Sequence, residues 1–149
     1  MKNKIPNTRS ASLLLIGTLA ALLATFGLAA CGGGTPAASA AKGNAAHGKE
    51  LYAQCAACHK LQENFTGPKH CALLGRPAGT VPGFEYSEAM KASGIVWDAQ
   101  KLDEFLTSPI AYVSGTKMGF AGFDSAADRA DVIAWLVEAN GDPAVCPKW

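Results

Sequence analysis

The chain has 149 residues, enough for one modest domain plus extra segments, and 49% of them are hydrophobic, many in the first thirty. The formal charge of +1 hides an asymmetry: residues 1–30 carry Lys2, Lys4 and Arg9 and no acid, leaving ten Lys and Arg against twelve Asp and Glu, a net of −2. There is no basic stripe with interleaved aromatics, so nucleic-acid binding has no support.

Residues 1–30 read as an export signal, with a positive stretch over 1–10 and an apolar run over 11–30. The run ends in Leu28-Ala29-Ala30-Cys31, which resembles the lipobox of bacterial lipoproteins. That resemblance implies that Cys31 is lipidated and becomes the mature N-terminus. Several acyl chains anchor a protein stably where one is marginal. An uncleaved signal anchor is the competing reading, because twenty apolar residues can just span a bilayer. Both place the remaining chain on the periplasmic side of a bacterial membrane. The residue after Cys31 is Gly32 rather than Asp, which favours the outer membrane if the cell is Gram-negative. Residues 31–43, rich in Gly, Ala and Ser, read as a flexible tether, and 44–149 as the folded domain.

The folded part carries Cys55-Ala56-Ala57-Cys58-His59, the C-x-x-C-H pattern of covalent c-type haem attachment. Two cysteines at this spacing can reach one edge of a porphyrin and form thioethers, and the adjacent His59 then lies under the iron as an axial ligand. A thioredoxin-like redox pair would need a preceding strand in a βαβ context, and a zinc site a second metal-binding pair. The sequence offers neither, since Cys71 and Cys146 are scattered. One covalently attached haem c is the cofactor expected.

The elements read as helices and loops. A first helix is predicted over 45–58, with Gly48 and Tyr52 on one face and His47 solvated near its start. Gly67-Pro68, Gly75-Arg76-Pro77, Gly79 and Pro82-Gly83 then punctuate a long irregular section. A helical turn follows over 87–92. A clearer helix runs over 98–107, with Asp98 as N-cap and an apolar stripe of Leu102, Phe105 and Leu106. Residues 108–113 form a short helix with Pro109 in its first turn. Residues 115–120 are a loop. Ser125 and Asp128 open the last helix in a short-acid capping box. Val132, Ile133, Trp135, Leu136 and Val137 supply its buried side, and Gly141 and Pro143 stop it.

From about residue 48 to 140 the ordered set of motifs resembles mitochondrial cytochrome c and its short bacterial relatives, the class I c-type cytochromes. The matching pieces are Cys55 to His59, Thr66-Gly67-Pro68, Gly75-Arg76, Pro82 to Tyr86, Gly94 to Trp97, Tyr112 to Gly122 and Arg129 to Leu136. The resemblance implies an all-α fold, a single domain wrapped around covalent haem, with the N- and C-terminal helices crossing where Gly48 and Tyr52 meet Val132, Trp135 and Leu136. It implies Met118 as the second axial ligand, opposite His59, a soft thioether that favours ferrous iron. It also implies that the Pro68 carbonyl accepts the other imidazole N–H of His59. Arg76, Tyr86 and Trp97 would approach the propionates, and Phe120 would cover the haem near its exposed edge.

The chain departs from the family pattern at several points. Phe105 stands where a tyrosine is usual beside the Met sulfur, and Met90 where an asparagine is usual, so the distal side should be drier. Gln54, Ile110 and Ala111 stand where lysines are common, leaving Lys117. Docking should then depend less on charge steering and more on apolar contact. Two cysteines, Cys71 and Cys146, are left after lipid and haem, an even number for an oxidising compartment. In the related fold the Cys71 loop passes near the end of the last helix, which implies a Cys71–Cys146 disulfide worth at most ~4 kcal/mol. Two separate free thiols are the alternative. His70 reads as a surface or otherwise satisfied residue.

The expected function is that of an extracytoplasmic, membrane-tethered, monomeric electron carrier, not an enzyme. Its partners would be a membrane respiratory or photosynthetic complex or a periplasmic oxidoreductase. A catalytic or gas-binding haem protein with a displaceable Met118 is the rival.

Overall fold

The computed structural model of the protein describes residues 42–148. The predicted signal segment, Cys31 and all but the last two residues of the predicted tether lie outside the described residues. The described chain forms six helices, α1 (Ala45–Leu51), α2 (Ala53–Ala56), α3 (Glu88–Ala92), α4 (Ala99–Thr107), α5 (Pro109–Tyr112) and α6 (Ala126–Gly141). No strand occurs among the described residues; the one β-bridge joins Pro77 and Val96. The all-α expectation therefore holds.

The caps explain where several helices begin. The Ser87 side chain accepts from the Met90 N–H, Asp98 from Lys101 N–H and Ser125 from Asp128 N–H. Each satisfies one of the orphan amides that open a helix. Pro109 begins α5, where its missing N–H costs nothing.

The first helix is not continuous over 45–58. It is divided at Tyr52, whose amide bonds back to Gly48 O at 2.9 Å while its carbonyl starts the next short turn. The α1 and α6 helices pack closely. A Cβ at Gly48 would stand 2.9 Å from Val132 N and closer still to the Asp131 carbonyl, so backbone meets backbone there. Asn44 caps α1 and also donates its N–H to Asp131 Oδ1 at 2.6 Å. Gly43 already lies against Ala130 of α6, so packing starts one residue before the boundary that composition suggests.

Val132, Ile133 and Leu136 of α6 are buried as expected, and Trp135 is half-buried with Lys49 over its ring. Val137 is not on that face. It is 44% exposed, because a 3.6-residue period centred on Val132 and Leu136 turns position 137 toward solvent. His47 is exposed yet partnered, its Nδ1 2.8 Å from Asp131 Oδ2.

Cys71 and Cys146 are joined as a disulfide with their Cα atoms 5.3 Å apart, inside the range such a bridge allows. The bridge ties the loop after the C-x-x-C-H motif to the chain just beyond α6. Gln62 Nε2 reinforces this by donating to the Val145 carbonyl at 2.8 Å.

Candidate functional site

The helices and the long loop enclose a cavity of about 470 Å³. Cys55, Cys58 and His59 line one part of it. Met118, Phe120, Trp97, Phe105 and Leu106 line it too. The walls are mainly apolar, as a cofactor site that excludes water requires.

The motif residues gather because the helical turn of α2 runs on beyond its end. The amides of Cys58 and His59 both bond to Cys55 O, at 3.0 and 2.8 Å. That coil places both sulfurs and the imidazole at the same cavity. Cys58 is exposed and Cys55 half-buried.

His59 is buried, and its Nδ1–H donates to the Pro68 carbonyl at 2.7 Å. This bond leaves the Nε2 lone pair free to bind a metal. Burial lowers the pKa of His59 and the Pro68 carbonyl opposes that shift. Gly67 crosses so close to the ring that a Cβ would stand 2.6 Å from Nδ1 and 2.7 Å from Nε2. Only glycine leaves room for the imidazole.

The other sequence-predicted positions also face the cavity. Arg76, Tyr86 and Trp97 all line it. Arg76 donates from Nη1 to Cys71 O at 3.0 Å and from Nη2 to Lys69 O at 3.2 Å. No carboxylate pairs with it among the described residues. Trp97 is buried and packs edge-on against Phe105 at 5.1 Å. Phe120 packs edge-on against Phe123 at 5.0 Å. Met90, also at the cavity, is 7% exposed and belongs to the core.

These residues fit a covalently held haem. Two cysteine sulfurs would supply the attachment, and the imidazole nitrogen of His59 could bind the iron. The apolar walls suit the macrocycle, and the unpaired Arg76 suits its carboxylates. Among the described residues no cluster of three or more His, Cys, Asp or Glu offers an alternative metal site.

Sequence reasoning missed His70. It faces the cavity, its ring is stacked on His59 with centroids 4.1 Å apart and planes 24° apart, and its Nδ1 lies 3.0 Å from Tyr52 Oη. Burial, then the nearness of His59 and Arg76, holds its pKa well below that of a free histidine. Nothing in the local sequence signals this, because its two partners come from the haem motif and from the division between α1 and α2.

The cytochrome c family model matches residues 45–140. Cytochrome c2 of Rhodomicrobium vannielii is 43% identical over 108 residues, covering 70% of this chain and 86% of the relative. Cytochrome c of Euglena viridis is 45% identical over 97 residues, 63% of this chain and 95% of the relative. Among solved structures, cytochrome cH from Methylobacterium extorquens superposes with a TM-score of 0.63 at 38% identity, covering 64% of this chain and 99% of that one. With the thiols, the imidazole and the apolar cavity in place, the conclusion follows that this chain belongs to the cytochrome c family, as a class I, monohaem c-type electron carrier with covalent haem c.

Proposed function

We propose that the chain is an extracytoplasmic carrier held at a bacterial membrane, with its iron closed on both sides by His59 and Met118. The observation that carries this reading is that the Met118 thioether lines the same cavity as the His59 imidazole. Bound haem supplies a one-electron couple at its iron. The chain's own residues set the conditions for it. Cys55 and Cys58 hold the group, and Pro68 fixes the donor nitrogen of His59. Thr116 Oγ1 accepts from the Met118 amide at 3.3 Å, shaping the loop that presents the sulfur. Phe105, Leu106 and Leu102 keep water away, which limits reorganisation when charge changes.

Partners would approach where the cavity meets the surface. Gln54 lines the cavity and is exposed, and Ile110 and Ala111 are also exposed, Ile110 to 57%. A redox partner, either a membrane complex or a periplasmic oxidoreductase, would dock mainly through apolar contact, with Lys117 as the charge nearest the Met118 loop. Lipid on Cys31 would confine the search for that partner to the membrane.

Two measurements test this. Ferrous wild-type protein should not bind carbon monoxide and neither should Met90→Leu, whereas Met118→Ala should bind it. Binding by the wild type would mean an open or displaceable sixth position. Mass spectrometry of the mature N-terminus should find a diacylated Cys31. An intact residue 1–30 segment would replace the lipid with an uncleaved anchor.

A further inference from the structure

The stack between His70 and His59 is held from several directions. The His70 amide donates to the Lys60 carbonyl at 3.0 Å and the Cys71 amide to Leu61 O at 2.7 Å. The backbone carrying His70 is thus clamped to the two residues that follow His59. Cys71, the next residue, is fixed again by its bridge to Cys146. At the ring itself, Tyr52 Oη is hydrogen-bonded to Nδ1 at 3.0 Å, and the two rings meet edge-on with centroids 5.7 Å apart. Tyr52 is 7% exposed and packs in turn against Trp135 of α6 at 6.4 Å. A histidine in this place needs the tyrosine hydroxyl, because a buried ring nitrogen without a partner is costly.

An axial imidazole can turn about its bond to iron. The Pro68 hydrogen bond restrains one edge of the His59 ring but leaves rocking about that edge. A flat ring stacked at 4.1 Å opposes such rocking across the whole face, since aromatic pairs have preferred geometry. The plane of the ligand ring decides which iron d orbital holds the unpaired electron in the ferric state, and so how spin is spread over the porphyrin.

We propose that His70, anchored by Tyr52, is a positioning residue that fixes the plane of the axial His59 ring. It touches the ligand and not the iron. The inference rests on the reading of His59 as axial ligand and adds to it a determinant of ligand orientation, one that links the α1–α6 crossing to the metal through Tyr52.

The test uses the full-length ferric holoprotein, and reads the haem-methyl proton shifts by NMR beside thermal stability. His70→Leu removes the flat ring. It should displace the haem-methyl shifts from the wild-type pattern. His70→Phe restores a flat ring without the hydrogen bond and should return the shifts most of the way. Tyr52→Phe keeps His70 but frees it, and should displace the shifts in the same sense as His70→Leu and by less. The proposal is overturned if His70→Leu lowers stability and leaves the shifts at their wild-type values, or if His70→Phe and His70→Leu displace them equally. If His70→Leu yields no holoprotein, Tyr52→Phe decides alone, and wild-type shifts in that variant overturn the proposal. Wild-type ferric spectra without an imidazole-ligated low-spin iron would overturn the His59 reading itself, and this inference with it.

Discussion

Gly48 of α1 rests against the peptide joining Asp131 and Val132 of α6, with no space for a side chain between them. The two helices that close the domain therefore meet by their backbones. Gly48→Ala gains helix propensity but must push the crossing apart. The net loss should reach about 3 kcal/mol, at the upper end of overpacking costs. Thermal unfolding of the holoprotein checks this, and a stability equal to wild type would show that the crossing can slide.

The same crossing carries a pH signature. The Asp131 carboxylate raises the pKa of His47, and His47, followed by the Asn44 amide, lowers that of Asp131. A raised histidine contributes fully below its unfolded value of 6.5 and loses that contribution as pH rises through the folded value. A depressed aspartate contributes above 3.8 and loses its contribution as pH falls through its folded value. The contact is strongest between those limits. His47→Ala should lower the melting temperature more at about pH 5.5 than at about pH 8.5. An equal effect at both would remove the ion pair from the account.

Ala72 is the only non-glycine residue with positive φ among the described residues, at 58°. It lies between Cys71 and Leu73, where the chain turns after the disulfide cysteine. An L-residue pays about 1–2 kcal/mol to sit there, part of which returns as the entropy a glycine would lose. Ala72→Gly should therefore stabilise the protein by about 0.5–1 kcal/mol, read from denaturant midpoints at constant slope.

The surface near the cavity gives a kinetic prediction. Ile110 and Ala111 are exposed and uncharged where the family commonly carries lysines, leaving Lys117 of that set and less for an ionic atmosphere to screen. The association rate with a membrane redox partner should change less than about tenfold between ~10 mM and ~0.2 M salt. A steep fall would place a charged docking patch where none is described.

Local signals were readable in advance where the chain's physics is local. Ser87, Asp98 and Ser125 cap their helices through bonds spanning three residues, and Pro109 opens α5 for a reason contained in one residue. The motif from Cys55 to His59 is legible because attachment chemistry dictates its spacing. What could not be read depends on distant partners. Tyr52 divides the first helix at the point where it turns its hydroxyl to His70 and packs against Trp135. Val137 leaves the buried face because Val132 and Leu136 set the rotation of α6, and an apolar residue count does not. His70 gains its place from a stack and a hydrogen bond that only the folded chain creates. The buried Trp135 Nε1 has no hydrogen-bond partner among the described residues, and no local feature of the sequence anticipates that.

The central claim is that Met118 closes the iron opposite His59. The most direct measurement is the absorption spectrum of freshly oxidised protein in the far red, where a ferric iron bound by a thioether shows a weak sulfur-to-iron charge-transfer band. The band should be present in the wild type and in Met90→Leu, and lost in Met118→Ala. A wild-type spectrum without it, or a band that survives in Met118→Ala, would contradict the account.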